Sequence, residues 1–120
     1  MMGFSYLASP YQNPDDSTDR WYCEQRFEEA CHAASILMTR GHTVFCPIAM
    51  SHPIADHLDA KLRCSHEFWL KHDFAILEKA DRLIVLQLFQ WERSHGVAEE
   101  IKFATERMIP IAYLDPNILP

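Results

Sequence analysis

The chain has 120 residues, which is enough for one domain with a substantial core but too few for two. Hydrophobic residues make up 48% and charged residues 23%, the balance of an ordinary globular protein, and the net charge of −6 argues against a nucleic-acid groove, which requires a basic face. No apolar run approaches the roughly 20 residues that a membrane span requires. Residues 1–10 lack the basic start and long apolar core of a signal peptide, so we expect a cytoplasmic protein.

Four cysteines and seven histidines are the residues that a disulfide or a metal site would use. The cysteines have no C-x-x-C spacing, so we expect reduced and mostly buried thiols, as in other intracellular α/β domains. The best candidate metal ligands, Cys64, His66 and His72, match no common zinc spacing. The sequence therefore predicts neither a metal site nor an organic cofactor.

The first half of the chain alternates strand and helix patterns. Residues 4–9 predict a strand, which a polar loop over residues 10–18 follows. Apolar side chains at helical spacing predict a helix over residues 19–40, and Gly41 ends it at the expected position. A short second strand is predicted over residues 43–47.

The second half continues the same alternation. The segment 48–63 stays ambiguous, because prolines at positions 47 and 53 accompany a partly helix-like spacing. Residues 65–79 predict a helix, and the branched apolar run at residues 83–88 predicts a strand buried on both faces of a sheet. A helix over residues 94–108 and a last strand over residues 109–114 follow.

This order of elements predicts a parallel sheet covered by helices on both faces. We therefore expect a single flavodoxin-like three-layer α/β/α domain, with a sheet of four or five strands of which four can be located. In such open sheets, ligands bind beyond the carboxyl ends of the strands. Three segments are expected to meet there: the loop at Ser9, the loop at Pro47 and residues 90–96.

Glu100 stands about one turn inside the helix that follows the central strand. Ser94 can cap this helix, and Gly96 lets the backbone come close to a ligand. A carboxylate in this position can act on a bound ligand. Acidic residues in a first helical turn also offset the helix dipole, and for Glu99 and Glu100 this second interpretation stays open.

Asp73 shares the apolar face of its predicted helix with Trp69, Ile76 and Leu77. A carboxylate on a buried face is costly unless it is paired or used. Asp73 is therefore either functional, or lies at the edge of that face and bonds a backbone N–H or a lysine. Asp81, at the turn into the next strand, is expected to be structural.

Three motifs resemble the nucleoside 2-deoxyribosyltransferase superfamily, which includes the deoxynucleoside 5′-monophosphate N-glycosidases. They are Y-L-A-S-P at residues 6–10, His72-Asp73 followed by Ala80-Asp81 (the D-x-x-x-L-x-x-A-D signature), and S-H-G-V-A-E-E-I at residues 94–101 (S-x-G-V-G-x-E-L). The motifs occur in register, and the resemblance covers nearly the whole chain in order. The chain is most similar to a small subgroup of that superfamily.

The resemblance implies cleavage or transfer at the N-glycosidic bond of a small-molecule nucleoside or nucleotide. It implies Glu100 as the nucleophile, Asp73 as the proton donor and Tyr6 as the hydroxyl that orients Glu100. Breaking the C1′–N bond leaves positive charge on the sugar and negative charge on the base. A carboxylate beneath C1′ and an acid beside the base therefore both lower the barrier.

Five further residues are expected to bind the substrate. Ser94 can cap its helix and also hold a phosphate or a sugar hydroxyl, and Ser9 and Gly96 belong to the matched motifs. Trp91 either stacks on a nucleobase or covers the end of the sheet, and both interpretations stay open. His52 either contacts the ribose or base, or is a solvated loop histidine.

The first loop departs from the resemblance. Asp15 and Asp16 stand where the nucleotide hydrolases carry a basic residue, so we expect an unphosphorylated or weakly anionic substrate. The resemblance also implies a homo-oligomer, at least a dimer, in which neighbouring chains complete each other's sites. Candidates to reach across are Asp115, Asn117 and residues 118–120. A non-catalytic domain that binds or senses a nucleotide is the alternative to an enzyme.

Overall fold

The computed structural model describes residues 3–120; Met1 and Met2, where the segment considered for a signal peptide begins, lie outside them. Within this range, four parallel strands form one sheet in the order β2-β1-β3-β4. The strands are β1 (Ser5–Ala8), β2 (Val44–Phe45), β3 (Arg82–Leu86) and β4 (Ile111–Leu114). The predicted parallel sheet is confirmed with four strands.

Five helices connect the strands: α1 (Arg20–Thr39), α2 (Pro47–Ala55), α3 (Ala60–Arg63), α4 (His66–Leu77) and α5 (His95–Glu106). Side chains of the preceding residues start most of them, because their oxygens accept otherwise unsatisfied backbone N–H groups. Asp19, Ser65 and Ser94 accept from the N–H of Tyr22, Phe68 and Val97 respectively. In the part of the chain described, no helix is long and apolar enough to cross a membrane.

The ambiguous segment 48–63 contains most of α2 and all of α3. Pro47 is the first residue of α2, where a helix needs no N–H donor. Pro53 lies within the last turn of that short helix, which ends at Ala55. The proline pattern therefore marks one short helix and its end instead of a loop.

The sheet separates two hydrophobic clusters, because side chains along a strand alternate between its faces. On one face Leu7 and Ile84 pack with Ala30, Ala34 and other residues of α1. The opposite cluster is formed by β1, β3, α4 and α5, with the buried residues Tyr6, Ala8, Leu77, Leu83, Val85, Val97 and Ala104. Helices thus cover both faces, and the flavodoxin-like three-layer α/β/α architecture is confirmed.

The second cluster positions side chains that contribute to the candidate functional site. The rings of Phe74 on α4 and Phe103 on α5 stack with their centroids 4.3 Å apart, which holds these helices side by side. Tyr6 points from β1 toward the same layer. Side chains from β1, α4 and α5 can therefore meet where the sheet reaches its carboxyl edge.

Candidate functional site

A cleft of about 910 Å³ opens at the carboxyl edge of the sheet. Ser9 follows β1, Pro47 follows β2, and Ser94 and Gly96 begin the helix that comes after β3. All four line the cleft, so the three segments expected at this edge do come together. Residues 11–18, which form the first loop, line one side.

Glu100 lies at the floor of this cleft and is only 6% exposed. The hydroxyl of Tyr6 donates a hydrogen bond to its Oε2. Burial raises the pKa of Glu100 from 4.5 to about 8; the hydrogen bond from Tyr6 opposes this rise, and the nearby charge of Asp73 adds to it. Glu100 is thus a buried carboxyl that faces a cleft. An acid that only offsets a helix dipole needs neither burial nor a cleft beside it.

Tyr6 is completely buried beneath the cleft. Burial first, and then the charge of Glu100, raise the pKa of its phenol well above the usual value. The phenol therefore stays protonated and acts as a donor. Its ring packs near Phe45, with centroids 5.8 Å apart, so the direction of the hydroxyl is fixed by the core.

Asp73 lines the same cleft from α4, with its side chain 14% exposed. Burial raises the pKa of its carboxyl, and the hydrogen bond with His72 partly offsets this. Its Oδ1 lies 3.2 Å from Nδ1 of His72, so its neighbour is this histidine instead of the backbone N–H or lysine that a purely structural role predicts. Asp73 can therefore hold a proton close to Glu100.

Three smaller residues line the cleft as expected for ligand contacts. Ser94 Oγ accepts the N–H of Val97 at 3.2 Å, which leaves its hydroxyl hydrogen for a further bond. A Cβ placed on Gly96 would meet only Ser94 Oγ, at 4.0 Å, so internal packing does not demand this glycine and space remains beside it. Among residues 3–120, the buried Ser9 Oγ has no hydrogen-bond partner. An unpaired buried hydroxyl beside a cleft is typical of a ligand site.

His52 and Trp91 lie outside the residues that the structure places around the cleft. His52 is buried behind Tyr11 and its ring stacks on Phe27, with centroids 4.3 Å apart, so it is not a solvated loop residue. Trp91 is half-buried and packs near Tyr113, at a centroid distance of 5.8 Å. The expected substrate contacts of these two side chains are therefore not part of the site geometry, because both rings are packed against protein.

Arginines that were not predicted from the sequence also line the cleft. Arg93 holds the first loop, with Nη2 at 2.6 Å and Nη1 at 3.3 Å from the two carboxylate oxygens of Asp15. This pair lowers the pKa of Asp15. Arg20 pairs with Asp56 at 2.9 Å. In the sequence, only the position of Arg93 directly before Ser94 indicates a role at the cleft. The sequence does not show which carboxylate Arg93 pairs with.

The four cysteines are free thiols. Cys23 and Cys46 are buried and Cys31 is half-buried, whereas Cys64 is exposed at the mouth of the cleft. The prediction of mostly buried thiols is therefore wrong for Cys64. Within residues 3–120, no three His, Cys, Asp or Glu side chains form a group able to hold a metal ion.

Two comparisons bear on this site. No curated protein is found to match the chain. One family model, described as a domain of unknown function (DUF1937), matches residues 3–115 and so covers every strand and helix that contributes to the cleft. The chain belongs to this DUF1937 family.

Proposed function

We propose that this protein cleaves or transfers at the N-glycosidic bond of a deoxynucleoside or nucleotide. One observation carries the proposal: a buried glutamate, oriented by a phenol, lies at the floor of a cleft that a second, half-buried carboxyl also lines. The motifs shared with the nucleoside 2-deoxyribosyltransferase superfamily support the same roles, with Glu100 as nucleophile, Asp73 as acid and Tyr6 as the positioning hydroxyl.

In this reaction an oxygen of ionised Glu100 forms a bond to C1′ as the C1′–N bond breaks. The electron pair of the broken bond stays on the base nitrogen, and the base takes the proton of Asp73. The resulting glycosyl ester is then attacked by water or by a nitrogen of a second base, and Asp73 takes up the released proton. Water makes the protein a hydrolase, and a base makes it a transferase.

The two carboxyls lie close enough for the charge of Asp73 to raise the pKa of Glu100. Both have raised pKa values, and Glu100, which is the more deeply buried, binds its proton more tightly. The reactive arrangement has Glu100 ionised and Asp73 protonated, so it is the minor form of the singly protonated pair. Activity should accordingly peak between the two ionisations of the pair and fall near pH 8, where the last proton is lost.

The first loop favours a substrate without a phosphate. Arg93 is occupied by Asp15, and Asp16 is held by the hydroxyl and backbone N–H of Thr18, all on the cleft side. The first loop itself carries no cation, and its Asp15 carboxylate holds the neighbouring Arg93, so this side of the cleft offers a phosphate no free positive charge. A neutral nucleoside is the proposed substrate class.

The second candidate function is binding without turnover. A pKa of about 8 leaves Glu100 mostly protonated at neutral pH, and a protonated carboxyl donates a hydrogen bond instead of attacking carbon. A domain that senses a nucleoside needs only this donor and the cleft.

Incubation with a panel of deoxynucleosides and their 5′-monophosphates, with and without an acceptor base, separates these candidates. Chromatography should detect free base for a hydrolase and a new nucleoside for a transferase. Binding measured by calorimetry without either product would support the sensor. If no member of the panel is bound or cleaved, the proposed function is wrong.

A further inference from the structure

A hydrogen-bonded chain behind the cleft is left unused by the proposed reaction. The hydroxyl of Tyr11 lies 2.5 Å from Nδ1 of His52, and Nε2 of the same ring lies 2.7 Å from Oε2 of Glu24. Tyr11 lines the cleft, His52 is buried, and Glu24 is about half exposed. The chain therefore connects a cleft residue to the protein surface through one imidazole.

The donors and acceptors of this chain can be assigned from its chemistry. A carboxylate only accepts, so the ring nitrogen that meets Glu24 must carry hydrogen. In the neutral ring Nδ1 is then the acceptor, and the phenol of Tyr11 donates to it. Burial, followed by the neighbouring Cys23 thiol, raises the pKa of Tyr11, which keeps the phenol protonated as this arrangement requires.

We propose that Glu24 and His52 are positioning residues that turn the Tyr11 hydroxyl hydrogen away from the cleft, so that Tyr11 offers its ligand a hydrogen-bond acceptor. The matching ligand group is a donor, which on a nucleoside is a sugar hydroxyl or an exocyclic amine. The identity of the ligand rests on the proposed function, whereas the geometry of the hydrogen-bonded chain does not depend on it.

Two features of the packing support a fixed direction. The His52 ring is stacked on Phe27 at 4.3 Å and meets Tyr11 edge-on, so it cannot rotate freely. The hydroxyl of Ser9, two residues before Tyr11, also lines the cleft and lacks a partner within residues 3–120. A fixed acceptor and a free hydroxyl on one loop suit a ligand that carries hydroxyl groups of its own.

The first test is independent of any activity. Long-range nitrogen–proton NMR at pH 8 reports which ring nitrogen of His52 is protonated, and we expect hydrogen on Nε2. Glu24→Ala should convert this to a mixture of tautomers, whereas Glu28→Ala, one turn along the same helix, should change nothing. Hydrogen on Nδ1, or a charged ring, in the unsubstituted protein would overturn the inference even if nucleosides are cleaved.

The second test uses a deoxynucleoside that the panel shows to be a substrate. Tyr11→Phe and Glu24→Ala should each raise KM about two- to tenfold, the range expected for one hydrogen bond, with kcat almost unchanged. The double variant should be no worse than Tyr11→Phe alone, because Glu24 acts through Tyr11. Additive losses would refute the positioning role.

Failure of the two ideas can be told apart. If His52 carries hydrogen on Nε2 but no nucleoside is bound or cleaved, the positioning chain stands and the proposed function is refuted. If nucleosides are cleaved while Glu24→Ala leaves both the tautomer and KM unchanged, the proposed function stands and the chain is refuted.

Discussion

A single buried carboxyl sets most of the chemistry at the residue scale. Glu100 is held in a protonated form by its burial, while the reaction proposed here needs it ionised. Tyr6 moderates this conflict, since its hydrogen bond stabilises the ionised form. The balance between these opposing effects is open to direct test.

Glu100→Gln should abolish turnover while leaving ligand binding nearly intact, because the amide keeps the shape of the side chain but cannot form the ester. Glu99→Gln is the matched control and should change little, since Glu99 does not line the cleft described here. Rates and binding constants with one deoxynucleoside check both. Equal losses in the two variants would show that the nucleophile lies elsewhere.

Tyr6→Phe should raise the pKa of Glu100 above its value of about 8, because the ionised carboxylate loses its donor. The alkaline limb of the pH dependence of kcat/KM should move upward. The maximum should fall by about 10- to 100-fold, the range for a hydrogen bond to a charged group. Tyr113→Phe, at the half-exposed tyrosine of β4, serves as control. An unmoved limb would exclude Glu100 as its source.

The residues of the site differ in how far they could be predicted. Glu100, Asp73 and Tyr6 lie in the three matched motifs, so the strand order together with the resemblance predicts that they meet in one cleft. The bond of Tyr11 to His52 joins residues 41 positions apart, and that of Arg93 to Asp15 joins residues 78 apart. Such pairs depend on how loops fold over the sheet, and no local pattern encodes them.

At the scale of elements, the four described strands and the helices α1, α4 and α5 agree with the predicted bounds to within about two residues. Their apolar periodicity and their capping residues, such as Asp19 and Ser94, mark where they begin. The segment 48–63 could not be assigned, because a proline at the first position of a helix is indistinguishable in sequence from one in a loop. The short 3-10 helix Trp91–Arg93 was likewise not predicted.

The loop before α5 and the first loop are tied together across the cleft by Arg93 and Asp15. Asp15→Asn should release Arg93 toward a ligand, so kcat/KM for a deoxynucleoside monophosphate should rise several-fold more than for the nucleoside. Glu106→Gln, at the far end of α5, is the control. Kinetics with both substrates check this, and an unchanged preference would mean that the first loop does not govern phosphate discrimination.

At the scale of the whole molecule, the buried carboxyl makes stability depend on pH. The pKa of Glu100 is raised from 4.5 to about 8, so its contribution is fully present below about pH 4.5 and is lost as pH rises through about 8. Within this window the free energy of unfolding should fall by at most about 1.4 kcal/mol per pH unit from this group.

Urea unfolding of the unsubstituted protein and of Glu100→Gln checks this prediction. The variant should gain relative stability steadily from about pH 4.5 to about pH 8, because the amide has no proton to lose. Glu99→Gln again provides the control. A difference that does not vary with pH would mean that Glu100 titrates normally in the folded protein.

We also expect an oligomer, at least a dimer. Ile118 is 69% exposed and Tyr113 is 52% exposed, so apolar side chains near the last strand remain uncovered in the single chain. Light scattering at working concentration should give a mass at least twice that of one chain. Ile118→Asp should lower the mass if this surface is the interface, and a monomer in the unsubstituted protein would refute the prediction.

The alternation of side chains along β1 limits which mutations can alter the chemistry of this protein without altering its folding. Tyr6 points into the layer that holds Glu100, and Leu7, its neighbour, points into the opposite cluster against α1. Insertion or deletion of one residue before Tyr6 would move both side chains to the opposite faces, turning the phenol toward the α1 layer and the leucine toward the layer that holds the carboxyl. Mutations that shift register in this strand therefore disable folding and chemistry in one step, so only point substitutions can tune one without the other.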